Sequence, residues 1–97
     1  MFTLFKVNGY SLYPLLKEDE VVCCVKIFSF TNIKVDEIVL FRYNSDYMIK
    51  KVTSISSNGY FVKGETPDSI DSRNFGELKR ERLLYKVFFR VKPFSFF

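Results

Sequence analysis

The chain contains no histidine. A reactive serine or cysteine could therefore not be activated by an imidazole, and no mixed cysteine–histidine zinc site can form. Cysteine is scarce too: Cys23 and Cys24 are the only pair, and they are adjacent. Vicinal cysteines rarely bridge, and on a strand their side chains point to opposite faces. Both are read as reduced, partly buried small hydrophobes, which suits a reducing compartment. No metal or other cofactor is implied. There is no tryptophan and no alanine, and there are only four glycines and three prolines. No apolar run approaches the roughly 18 residues of a membrane-spanning helix. The first ten residues lack the basic segment and long apolar run of a secretory signal. The resulting expectation is a cytoplasmic protein.

What is abundant is bulky. Apolar residues make up 47% of the 97 residues, and 12 Phe with 6 Tyr give 19% aromatics. With many Val and Ile as well, this composition favours strands over helices. The length fits one domain, residues 1–97, with a modest core. The net charge of +4 is spread along the chain, with one cluster at Lys79–Arg82. That is weaker than a nucleic-acid footprint, so no nucleic-acid partner is expected. The aromatic tail, Pro93-Phe94-Ser95-Phe96-Phe97, reads as a core-capping segment. It also leaves peripheral membrane contact open, as it does oligomeric state.

Periodicity predicts strands at Met1–Val7, Val21–Phe30, Glu37–Tyr43, Tyr47–Ile55, Tyr60–Lys63 and Tyr85–Val91. Asn44-Ser45-Asp46 reads as a turn by composition. Ser56-Ser57-Asn58-Gly59 reads as a tight hairpin, with Asn-Gly taking up positive φ. A helical turn is expected at Lys79–Leu83. Short strands with a turn signal every ten residues or so indicate a mainly β fold, a small barrel-like or coiled antiparallel sheet. Gly64 to Gly76 is a long polar loop, and long loops in small domains tend to be functional.

Two segments carry candidate chemistry. Val7-Asn8-Gly9-Tyr10-Ser11-Leu12-Tyr13-Pro14 sets a serine after a glycine turn, where its plainest role is to cap a helical turn. In Tyr47-Met48-Ile49-Lys50-Lys51-Val52, side-chain alternation places Lys50 between Met48 and Val52 on one face. Lys51 stands on the other face, between Ile49 and Thr53. Of the two lysines Lys50 is the better candidate for burial, and a buried lysine can lose enough basicity to act as a general base. The plain alternative is that both are solvated sheet residues.

At this point the chain resembles a known family. Gly9-Tyr10-Ser11-Leu12-Tyr13-Pro14-Leu15-Leu16 is similar to the Gly-x-Ser-Met-x-Pro-x-Leu box of type I signal peptidases. Tyr47 to Val52 is similar to their Tyr-x-x-Lys-Arg-Val box. Lys63-Gly64-Glu65-Thr66 and Ser69-Ile70-Asp71-Ser72-Arg73-Asn74-Phe75-Gly76 resemble their Lys-Gly-Asp-Asn and Ser-x-Asp-Ser-Arg-x-Phe-Gly boxes. The boxes come in family order. The wider group includes the self-cleaving repressor domains of the SOS response, which share the Ser-Lys dyad and β core.

The resemblance implies a serine endopeptidase with Ser11 as nucleophile and Lys50 as general base. It implies that Ser69 orients the lysine and that Asp71 and Arg73 form a structural ion pair. The Ser11 backbone N–H would help form the oxyanion hole, with Gly9 at a position that supplies no side-chain donor. The substrate would be an extended, leader-like peptide with small residues before the scissile bond. It would bind as an added strand beside the residues near Tyr10 and the strand before Lys50. Leu12 stands for methionine, Asp19-Glu20 and Asp36-Glu37 for Gly-Asp pairs, Glu65-Thr66 for Asp-Asn, and Tyr85 for a common glycine. Two other readings stay open: an inactive peptide-binding module on the same scaffold, and a self-cleaving regulatory domain.

Overall fold

The computed structural model describes residues 2–7, 16 and 19–91. Six strands form one antiparallel sheet: β1 (Phe2–Lys6), β2 (Val21–Lys26), β3 (Ile38–Tyr43), β4 (Asp46–Ser56), β5 (Gly59–Lys63) and β6 (Leu83–Val91). Their order across the sheet is β1-β2-β6-β3-β4-β5. A four-residue helix, α1 (Ser72–Phe75), and a 3₁₀ turn (Arg80–Arg82) lie between β5 and β6.

Both faces of the sheet are covered, as alternation along β3 makes plain. Val39 and Phe41 join one buried cluster with Val52, Val62, Ile33, Leu78 and Leu83. Leu40 turns to the other face and packs with Val7, Leu16, Val22 and Cys24, backed by Ile38 and Ile49. Cys23 and Cys24 are both buried and unbridged. The β2–β6 register slips between them.

The sheet is strongly coiled. Phe5 on β1 and Tyr47 on β4 lie four strand positions apart, which in a flat sheet is about 19 Å. Their ring centroids are 5.2 Å apart. Tyr85 on β6 fills the space between, 5.1 Å from Phe5. Among the described residues coiling stops short of closure: β1 pairs only with β2, and β5 pairs with no strand but β4. The fold is thus a curled open sheet, where a barrel-like closure was among the expectations.

The strand and turn expectations are adjusted at several points. β2 ends at Lys26 rather than Phe30, because Phe28 to Thr31 closes a turn. Thr31 N–H donates to Phe28 O at 3.1 Å, and Phe28 N–H donates to Thr31 Oγ1 at 2.8 Å. Of the pair Asn58-Gly59, Gly59 takes the expected positive φ, and Asn44 and Ser45, the two-residue loop between β3 and β4, take it as well, with φ of 54° and 81°. In the β4–β5 hairpin the loop is Ser57-Asn58, and Gly59 opens β5 with φ of 149°. Gly59 is needed there for a second reason. A Cβ would come within 2.4 Å of the Leu78 carbonyl oxygen, where Tyr60 and Leu78 exchange backbone hydrogen bonds.

Candidate active site

Lys50 is 3% exposed. Its neighbours on the same face of β4, Met48 and Val52, both pack in the cluster around Phe41, and its cross-strand partner is Val39. Burial pushes the ammonium below its ordinary pKa of 10.5; the Asp71 carboxylate counters this, and the Arg73 guanidinium reinforces it. The direction follows from physics: an apolar surround disfavours the charged form, and here that outweighs the nearby carboxylate.

Those two charges are an ion pair. Asp71 is fully buried. Its Oδ2 accepts from Arg73 Nη2 at 2.7 Å and from the Gly64 N–H at 2.8 Å. Its Oδ1 accepts from Arg73 Nε at 2.9 Å and from the Arg73 N–H at 3.0 Å. Burial alone would raise its pKa, but the Arg73 side chain and the two backbone N–H groups outweigh burial and hold it at about 2. Arg73 also donates to the Thr66 carbonyl at 2.9 Å, so one guanidinium ties both ends of the Thr66–Asp71 loop. The hydrogen bonds to Asp71 raise the Arg73 pKa.

The local sequence explains how this loop is held. Asp71 caps α1 and Asn74 returns the bond to the Asp71 N–H, a capping box. Ser72 is buried, and its Oγ accepts the Val62 N–H at 2.9 Å. The outer edge of β5 is thereby covered piece by piece: Tyr60 by Leu78, Val62 by Ser72 and Gly64 by Asp71. Sequence reading named Asp71 and Arg73 but gave Ser72 no role. The signal was an edge strand that needs acceptors, and a hydroxyl in the loop that follows it. Ser69, expected beside the lysine, has its Oγ 2.5 Å from Thr66 Oγ1. Lys51 pairs with Glu65 at 3.1 Å on the other side of the strand.

Lys50 sits at a corner of the sheet. β5 pairs with β4 only from Lys51 to Ser56, so Asp46 to Lys50 have a strand partner on the β3 side alone among the described residues. The outer edge of β1 likewise carries no described strand. Coiling brings these two unpaired edges together, and a groove lies between them. Phe5, Lys6 and Val7 line it from β1, and Asp46 to Lys50 line it from β4, with Val22 and Leu40 at its base. Gly9 and Ser11, with the expected helical turn opening at Ser11, lie outside the described residues, as does the tail from Pro93 to Phe97.

Among the described residues no group of three or more acidic, cysteine or histidine side chains could hold a metal ion. No helix there is long and apolar enough to cross a membrane. No family model matches the chain, and no curated protein matches it.

Proposed function

We propose that this chain is a serine endopeptidase of the signal-peptidase-like type, working through Ser11 and Lys50. The observation that carries this reading is the burial of Lys50. A lysine between Met48 and Val52, with its pKa lowered, gains nothing for the fold but gains the neutral amine that a general base needs. In this reading Lys50 Nζ takes the proton of Ser11 Oγ as that oxygen attacks the scissile carbonyl carbon. The oxyanion formed accepts a hydrogen bond from the Ser11 backbone N–H. The Lys50 ammonium then gives its proton to the departing amine, leaving an acyl-enzyme. Water, deprotonated by Lys50, releases the acyl group and restores Ser11.

The groove supports the substrate class. Two strand edges that carry no strand partner among the described residues offer backbone donors and acceptors to an extended peptide, which would complete the curl as an added strand. Asp71 and Arg73 fit a positioning role: their ion pair holds the Thr66–Asp71 loop, and their opposite charges act on Lys50 in opposite directions. The alternative, a peptide-binding module without catalysis, has the same use for the groove and no use for a desolvated lysine.

The test is cleavage of a library of extended peptides carrying small residues before the scissile bond. Ser11→Ala and Lys50→Ala should each lower kcat by roughly 10³-fold or more. Ser11→Ala should keep peptide affinity. Cleavage that survives Ser11→Ala would overturn the reading.

A further inference from the structure

Tyr47 takes no part in the proposed chemistry, yet three neighbours hold its ring. Tyr47 lines one side of the groove and Phe5 lines the other. The two rings meet edge to face, with centroids 5.2 Å apart and planes at 62°. Tyr85 packs against both, 5.1 Å from Phe5 and 6.5 Å from Tyr47. The Arg42 guanidinium carbon lies 5.1 Å from the Tyr47 ring centre, and Arg42 Nη2 donates to the Ser45 carbonyl at 3.2 Å. Tyr47 is nonetheless 43% exposed. A ring that is fixed by its neighbours but still meets solvent adds little to the core and much to the shape of the groove.

We propose that the Phe5–Tyr47 ring pair is a size gate: where the groove takes an extended peptide, it restricts the side chain pointing inward at that level to glycine, alanine or serine. The proposal rests on the strand-addition reading above, and adds to it the residues that set the size of the peptide's side chain. An added strand would lie about 4.8 Å from each edge and would turn every second side chain toward the inside of the curl. Phe5, Ile49 and Tyr85 pack on that side, and alternation along β4 puts Tyr47 on the same side as Ile49. Rings from the two walls are already in contact there, at the separation usual for an aromatic pair. A methyl group can rest on them; a leucine or glutamine side chain has to part them. The contacts of Tyr47 with Tyr85 and Arg42 resist that movement.

The experiment is fluorescence polarisation of two fluorescein-labelled octapeptides on the full chain carrying Ser11→Ala, so that binding is read without turnover. One peptide alternates alanine and serine. The other alternates leucine and glutamine, and so presents a long side chain inward in either register. The alanine–serine peptide should bind tighter by roughly tenfold or more. Adding Tyr47→Ala should shrink that preference to about twofold or less, and Tyr47→Phe, which keeps the ring, should preserve it. Phe5→Val opens the gate from the other wall and should act like Tyr47→Ala. Equal or tighter binding of the leucine–glutamine peptide, a preference that Tyr47→Ala and Phe5→Val both leave unchanged, or no binding of either peptide would overturn the inference. The gate and the peptidase fail separately. Wild-type cleavage of both octapeptides at equal rates would remove the gate and keep the peptidase. Gated binding together with cleavage that survives Ser11→Ala would do the reverse.

Discussion

Arg73 grips Asp71 with two side-chain hydrogen bonds, of 2.7 and 2.9 Å, in an ion pair whose acid is fully buried and whose base is one-third exposed. Only one member of the pair has left water, so the buried carboxylate depends on Arg73 and two backbone N–H groups to stay ionised.

That asymmetry sets a pH dependence. The Asp71 pKa is lowered from 3.8 to about 2 on folding. A carboxyl with a depressed folded pKa contributes stability above its unfolded pKa and loses it as pH falls through the folded value. The contribution, roughly 2 kcal/mol, should therefore be intact at pH 5 and fade between about pH 4 and pH 2. Urea unfolding of the wild type and Asp71→Asn across that window measures it. The two curves should converge at the acid end, with the wild type more stable at pH 5.

Lys50 should show the reverse relation between stability and function. Its folded pKa lies below the 10.5 of the unfolded chain. The unfolded state thus binds more protons between the two values, and stability rises with pH through that window. At neutral pH, burying the lysine is a net burden. Lys50→Met places an apolar side chain of similar length among Met48, Val52 and Val39. It should stabilise the fold by about 1 kcal/mol or more while abolishing cleavage. In the wild type the rising limb of the pH–rate profile should fall below the ordinary lysine range. A Lys50→Met protein less stable than wild type would contradict the burial argument.

Ser72 should matter through the backbone it satisfies. In Ser72→Ala the Val62 N–H loses its acceptor inside the protein, at a cost of about 1–3 kcal/mol. Because α1 and the loop carrying Asp71 dock through that bond, amide exchange should quicken at Val62 and Gly64 before it does elsewhere in the sheet. Uniformly faster exchange would mean that Ser72 supports only global stability.

Much of this could be read from one dimension. Alternation identified β3 and β4 to within a residue or two, and it set Lys50 on the same face as Met48 and Val52. The adjacent cysteines were read as reduced and small. The tight turns were located by composition, and Gly59 takes the positive φ expected there, but the positive φ of Asn44 and Ser45 was not foreseen. Asn44-Ser45 adopts it without any glycine, while Gly59 is placed by its approach to Leu78.

By itself the sequence determined what depends on neighbours along the chain: strand alternation, the positions of the tight turns, and the absence of any imidazole. Tertiary structure alone decided what depends on curvature and on distant contacts. Coiling brings Phe5 beside Tyr47 and sets a groove between β1 and β4, at edges without a strand partner among the described residues. Ser72 completes the edge of β5, and Arg80 bonds to the Phe28 carbonyl, 52 residues before it. The physical reason is that backbone hydrogen-bond demand and sheet twist are shared by the whole sheet. No local run of residues states which distant atom will meet them.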